Sequence, residues 1–229
     1  MRDDRRSFLL SAAAGTLMVG CASSSHAREG AKREGSEAEE EVTPAEDLMR
    51  EHGVLRRIMY LYDEAASRLE HGGDVPLDAL ASGAGMIRRV IEDYHEKIEE
   101  NLLFPRFEKA GKLTDLTAVL RRQHDAGRVL TDQILALAKG TPAEVDRAQL
   151  AARLRSFNHM YRAHAAREDT VLFPAIRKLV GASAYAEMGE EFEKKEHEIL
   201  GEEGFEHAVE DVAKLEQAFG VHDLAKLTA

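Results

Sequence analysis

Residues 95–105, HEKIEENLLFP, and residues 164–174, HAAREDTVLFP, spell one pattern twice, H-x-x-x-E-x-x-x-L-F-P, 69 positions apart. No other feature restricts the fold as much. On an α-helix, residues four apart share a face about one turn from each other, so each copy aims an imidazole and a carboxylate at one point. Two such helices facing each other enclose a metal site. The duplication reaches upstream: Arg50-Glu51-His52, with Arg56 four residues on, is echoed by Arg122-Gln123-His124, with Arg128 four residues on. His52 precedes His95 by 43 residues, and His124 precedes His164 by 40. Each half is therefore expected to be a helical hairpin giving a His from its first helix and a His and a Glu from its second.

Local punctuation predicts where the helices lie. Thr43-Pro44-Ala45-Glu46 is a capping-box start and Gly72-Gly73 a stop, which predicts a first helix over 44–70. A second is predicted over 77–102, interrupted near Pro105 and ended by Gly111, and a third over 115–139, stopped at Gly140. A fourth opens at a second capping box, Thr141-Pro142-Ala143-Glu144, runs to 171 and breaks at Pro174. Short connections make consecutive helices antiparallel, so residues 43–180 are predicted as an all-α, antiparallel up-down four-helix bundle. Ser183 to Gly201 and Phe205 to Phe219 are also amphipathic, adding two C-terminal helices in an appendage over 181–229. Composition agrees: 44% apolar residues suffice for one sizeable core, and 32% charged residues with few β-branched runs suit helices without strands.

Residues 1–21 read as an export signal, in which Arg5-Arg6 leads an apolar run from Phe8 to Val19 that is too short to span a bilayer. Arg5-Arg6-Ser7-Phe8-Leu9 resembles a twin-arginine signal, and Leu17-Met18-Val19-Gly20-Cys21 resembles a bacterial lipoprotein processing site. Acylated Cys21 is then the only expected membrane attachment, at the periplasmic face. The alternative is an ordinary secretory signal cut after Ser25-His26-Ala27, which leaves a soluble periplasmic or secreted protein. Residues 22–42, Ser- and Glu-rich with almost no apolar side chain, are expected to be a flexible tether. A formal charge of -11, with no basic cluster outside the leader, argues against nucleic acid as a partner.

His52, His95, Glu99, His124, His164 and Glu168 supply four imidazoles and two carboxylates. That is too many donors for one ion, whereas two ions bridged by both carboxylates and each completed by two imidazoles use all six. Nitrogen and oxygen donors without a thiolate suit iron, and manganese or zinc accept the same set. One H-x-x-x-E alone would be a structural pair; two in register, each preceded by R-[EQ]-H, indicate metal. As a set, these motifs resemble the hemerythrin-like, HHE cation-binding family of helical bundles, in its bacterial subgroup ordered H, H-x-x-x-E, H, H-x-x-x-E. The resemblance covers residues 44–180 and implies a non-haem di-iron centre with oxo or hydroxo bridges, held by those six residues. Oxygen-carrying members have a fifth His where this chain has Arg128, and an Asp rather than Glu168 on the last helix, which argues against reversible oxygen carriage.

Glu92 and Tyr161 occupy matching positions one turn before His95 and His164, as candidates for a supporting or catalytic role beside the centre. Glu92-Asp93-Tyr94-His95 contains the E-x-x-H that ferritin-like di-iron bundles use twice, but Tyr161 replaces the second Glu. His159 is rotated off the ligand face, and His26, His71, His197, His207 and His222 lie in the tether, at helix ends or in the appendage. None of these is expected to bind metal, and Glu193 with His197 reads as a solvated pair. Three function classes follow: an enzyme acting on hydrogen peroxide or oxygen, a protein that binds or senses oxygen, nitric oxide or iron without turnover, and a structural metal staple. Six donors do not saturate two six-coordinate irons, so open positions and peroxide disproportionation or peroxidase-like chemistry are expected.

Overall fold

Thr43 caps the first helix: its hydroxyl accepts the Glu46 amide hydrogen at 3.3 Å, Pro44 fills the first turn, and α1 spans Pro44–Glu70. The computed structural model describes residues 42–140 and 145–228, and among these described residues there is no strand. Among the described residues, six helices carry the fold. After α1, α2 covers residues 77–109, α3 Thr114–Ala138, α4 residues 147–180, α5 Ala182–Ile199 and α6 Gly204–Phe219. Gly72, at φ 78°, turns the chain out of α1 in a conformation that glycine adopts without a side-chain clash.

Neither α2 nor α4 breaks at its proline, contrary to the prediction. α2 proceeds through Leu77–Met86, a π-helical stretch Ile87–His95, an α-turn Glu96–Ile98, a second π-helical stretch Glu99–Leu103, and Phe104–Lys109. α4 proceeds through Arg147–Arg167, a π-helical stretch Glu168–Leu172, and Phe173–Val180. The Phe104 N–H donates to the Glu99 carbonyl and the Phe173 N–H to the Glu168 carbonyl, each five residues back. In an α-helix a proline ring collides with the carbonyl four residues back. The extra residue in the turn ahead of Pro105 and Pro174 relieves that collision, so the helix widens instead of ending. Both widened turns begin on a carboxylate of the repeated motif.

The start of α4 also differs from the prediction. The expected capping box at 141–144 lies outside the described residues. Asp146 is the cap, its carboxylate accepting the Gln149 amide hydrogen at 2.9 Å, and the helix begins at Arg147.

α1 lies along α4, α3 contacts α4 and α2, α6 packs on α1 and α2, and α5 packs on α1 and the end of α4. Two buried apolar clusters result. Leu55, Ile58 and Tyr62 of α1, Phe157 of α4, and Val212 and Phe219 of α6 belong to the first. Leu48 of α1, Phe104 of α2, Leu120 of α3, Phe173 of α4, and Met188 and Phe192 of α5 belong to the second. The C-terminal helices thus complete both clusters, with each fully buried Leu, Phe or Val contributing roughly 1.5–3 kcal/mol. Polar residues separate the clusters: His52 falls between Leu48 and Leu55, His124 between Leu120 and Ile134, and His164 between Tyr161 and Leu172. No helix among the described residues is long and apolar enough to cross a membrane.

Candidate metal centre

The four histidines of the repeat turn Nε2 inward onto two carboxylates. His52 Nε2 lies 3.4 Å from Glu168 Oε2, and His164 Nε2 lies 3.0 Å from Glu168 Oε1. His95 Nε2 is 3.8 Å from Glu99 Oε2, and His124 Nε2 is 3.3 Å from the same oxygen. The rings also pair, His52 with His95 at 4.7 Å between centroids and His124 with His164 at 5.0 Å. Each carboxylate therefore meets one imidazole from each pair. Donor atoms of Glu99, His124, His164 and Glu168 lie within 4.8 Å of one another, and all six residues are at most 3% exposed.

Each Nδ1 meets a partner on a neighbouring helix. His52 meets Asp169 Oδ1 at 2.7 Å, His95 meets Glu51 Oε2 at 2.6 Å, His124 meets Glu100 Oε1 at 3.1 Å, and His164 meets Gln123 Oε1 at 3.0 Å. The four contacts close a ring in which α1 supports α2, α2 supports α3, α3 supports α4 and α4 supports α1. An acceptor at Nδ1 assigns the ring proton there and leaves the Nε2 lone pair for the centre. The supports are sequence neighbours of the ligand candidates: Glu51 and Gln123 each precede a His, and Glu100 and Asp169 each follow a Glu. The R-[EQ]-H repeat gives no role to these neighbours by itself; their matching places in the two halves are the signal in the sequence. Arg56 in turn ion-pairs with Asp169, and Arg128 Nη2 lies 2.7 Å from Glu100 Oε1.

Electrostatics test whether this donor set fits a cation. Neither oxygen of Glu99 nor of Glu168 has an aligned hydrogen-bond donor, and His95 Nε2 is likewise unmatched. Two carboxylates buried together cost several kcal/mol each unless compensated. Metal cations supply that compensation, so the residues fit the group. Without a cation the centre compensates with protons. Burial opposes the charge on His52, but the hydrogen-bonded carboxylate of Asp169 and the nearby carboxylate of Glu168 outweigh it and raise its pKa to about 9. Burial and the facing Glu168 push Glu99 well above the carboxylate range. Burial also acts on Glu168, but His164 and His52 hold it below that range. His95 and His124 are lowered to about 3 and about 4, chiefly by burial, so both are neutral donors at neutral pH.

Glu92 and Tyr161, matched in the repeat, have different surroundings. Glu92 accepts the Thr131 hydroxyl at 2.6 Å and pairs with Arg88 at 2.8 Å, interactions that direct its carboxylate to these two residues and not to a ligand imidazole. Tyr161 packs its ring 5.3 Å from that of His164 and donates its hydroxyl to Glu96 Oε1 at 2.7 Å. Glu96 Oε2 is 2.7 Å from Arg128, and burial pushes its carboxyl up to about 8. Arg128, at the position of the absent fifth His, is thus occupied by Glu96 and Glu100. His159, His197, His207 and His222 are exposed, and His71 bonds the Ser67 carbonyl.

A helical protein with two H-x-x-x-E pairs meeting in its core is a cation-binding helical bundle. The model of the hemerythrin HHE cation binding domain matches residues 43–176, and the chain belongs to that family. Its relatives include uncharacterized proteins of Mycobacterium bovis and Mycobacterium tuberculosis, each 45% identical over 220 residues that cover 94% of this chain and 86% of theirs. No solved structure matches the chain.

Proposed function

We propose that the chain is a non-haem di-iron protein that disproportionates hydrogen peroxide. His52, His95, Glu99, His124, His164 and Glu168 would hold the two ions within an antiparallel up-down four-helix bundle to which α5 and α6 are added. The observation that carries this reading is the even sharing of the site: each carboxylate meets one imidazole from each pair. A carrier that binds oxygen reversibly benefits from unequal metals, and the residue that would make them unequal is here Arg128, held by Glu96 and Glu100. Nitrogen and carboxylate donors without thiolate favour iron, although manganese or zinc would fit the same atoms.

In the reaction two molecules of hydrogen peroxide give two of water and one of dioxygen, one peroxide supplying the two electrons that the other accepts. Paired irons, when bound, supply a two-electron reservoir for that exchange. The chain's own residues orient the imidazoles through the outer ring and keep bulk water out by burial. Tyr161 Oη and Glu96 Oε1 share a proton beside His164. Oxygen evolved from added peroxide by the iron-loaded protein tests the proposal. Turnover that collapses in Glu99→Ala and Glu168→Ala supports it; a reversible oxygen or nitric oxide adduct without turnover would make the protein a binder or sensor instead.

Residues 1–41 lie outside the described residues. The proposed export as a lipoprotein predicts that Lys at positions 5 and 6 holds the precursor in the cytoplasm, and that Cys21→Ala releases the protein from the membrane. A soluble wild-type protein beginning at Arg28 would support the ordinary secretory signal.

A further inference from the structure

Because the six donors are at most 3% exposed, anything that reacts at the centre must pass through protein. A cleft of about 250 Å³ opens on the seam between α1 and α4, lined by Met59 and Tyr60 on one side and by Tyr161, Ala165 and Ala166 on the other. Arg56, Asp63 and Arg162 complete its walls. Two ion pairs cross the seam, Arg56 with Asp169 and, two turns along α1, Asp63 with Arg162.

The wall between this cleft and the centre is one side chain thick. Tyr161 lines the cleft, and its ring lies 5.3 Å from that of His164. Asp169, the partner of Arg56, meets His52 at 2.7 Å. Tyr161 is pinned by its bond to Glu96 and seated against Gly127, so the smallest barrier beside His164 is the buried methyl group of Ala165. The other half of the repeat carries larger side chains at the matching places. Where Ala165 and Ala166 follow His164, Glu96 and Lys97 follow His95, and Glu96 is held by Arg128 and Tyr161.

We propose that the α1–α4 cleft is the access route by which a small uncharged solute, of the size of hydrogen peroxide, reaches the centre, with the Asp63–Arg162 pair as its outer restriction. The inference rests on the metal-centre reading above. The cationic groups at the mouth are already paired with carboxylates, and the inner wall is methyl and phenol. An ion would lose its hydration there without replacement, whereas a small neutral molecule would not.

The test uses the full chain loaded with iron(II) and nitric oxide as the probe, with binding and release followed optically. Ala166 is exposed, so Ala166→Phe fills the cleft from its solvent side without entering the core. It should slow association and release together, by roughly tenfold, while the equilibrium constant, iron content and melting temperature stay unchanged. Arg162→Ala, which opens the outer pair without touching a ligand or its support, should speed both rates at the same equilibrium constant. Parallel changes in the two rates are the signature of a route, because a structural effect on coordination would move the equilibrium instead. Rates that ignore both variants in iron-loaded protein overturn the route alone. Should Ala166→Phe misfold, Arg162→Ala decides. A wild-type protein that takes up no iron overturns the metal centre and the route with it.

Discussion

Glu51 on α1 places Oε2 2.6 Å from Nδ1 of His95 on α2, while its sequence neighbour His52 meets Asp169 on α4. One turn of α1 thus supports one imidazole and presents another. Outer carboxylates of this sort fix the tautomer of a metal-binding histidine and strengthen it as a donor.

Glu51→Gln keeps the shape of the side chain and removes its charge. Metal affinity, measured by competition with a chromophoric chelator, should fall by roughly 10–100-fold while the helical circular dichroism is retained. Unchanged affinity would mean that the outer ring plays no part in metal binding.

The metal-free protein should lose stability as pH rises from 6.5 to 9. His52 is raised to about 9, since the carboxylates of Asp169 and Glu168 outweigh its burial; Glu96 is raised to about 8 by burial, and Glu99 is raised by burial and Glu168. A raised pKa means that the folded chain keeps a proton the unfolded chain has released. The contribution of His52 is therefore complete below 6.5 and lost as pH passes about 9, and that of Glu96 is complete below 4.5 and lost as pH passes about 8. Melting of chelator-treated protein across this range checks the sign: a flat or rising melting temperature would contradict it. Protein with bound metal should show a smaller loss, because the cation replaces the protons on His52 and Glu99 and leaves only that of Glu96.

Gly127 is where α3 makes room for Tyr161. A Cβ at this position would lie 1.9 Å from the tyrosine oxygen and 2.7 Å from the ring carbon that bears it. Gly127→Ala should destabilise the protein by about 1–3 kcal/mol through overpacking, and Tyr161→Phe should restore only part of the loss, because the ring remains too close. Thermal or urea unfolding of the two single variants and the double variant measures this; a neutral Gly127→Ala would show that Tyr161 moves freely.

Phe192 tests whether α5 belongs to the folding unit. The side chain is 1% exposed and shares a buried cluster with Leu48 of α1 and Phe104 of α2. Phe192→Ala should cost about 3–5 kcal/mol of stability in one cooperative transition. A separate low-temperature transition that leaves the main one unmoved would show that α5 melts independently.

The helices that local chemistry sets were legible in the sequence. A prediction of 44–70 meets Pro44–Glu70, and 115–139 meets Thr114–Ala138. Caps and glycines act within a few residues, so sequence spacing reports them. The passage through Pro105 and Pro174 was not legible, because proline alone signals an end and the widened turn depends on helices held by their neighbours. For the site, the repeat singled out six residues that the structure brings together, since helical periodicity fixes their faces. The ring of Glu51, Glu100, Gln123 and Asp169 depends on register between helices, which spacing within one helix does not encode. The same limit separates Glu92 from Tyr161: matched in the repeat, they differ because Thr131 and Arg88 surround one and Gly127 and Glu96 the other.

The most direct test of the central claim is the iron content of the purified, iron-loaded chain, alongside Glu99→Ala and Glu168→Ala. Because each carboxylate meets an imidazole of both pairs, the wild-type protein should hold about two iron ions per chain, and each variant should lose most of that iron. One iron or none in the wild type, or full iron in either variant, would contradict it.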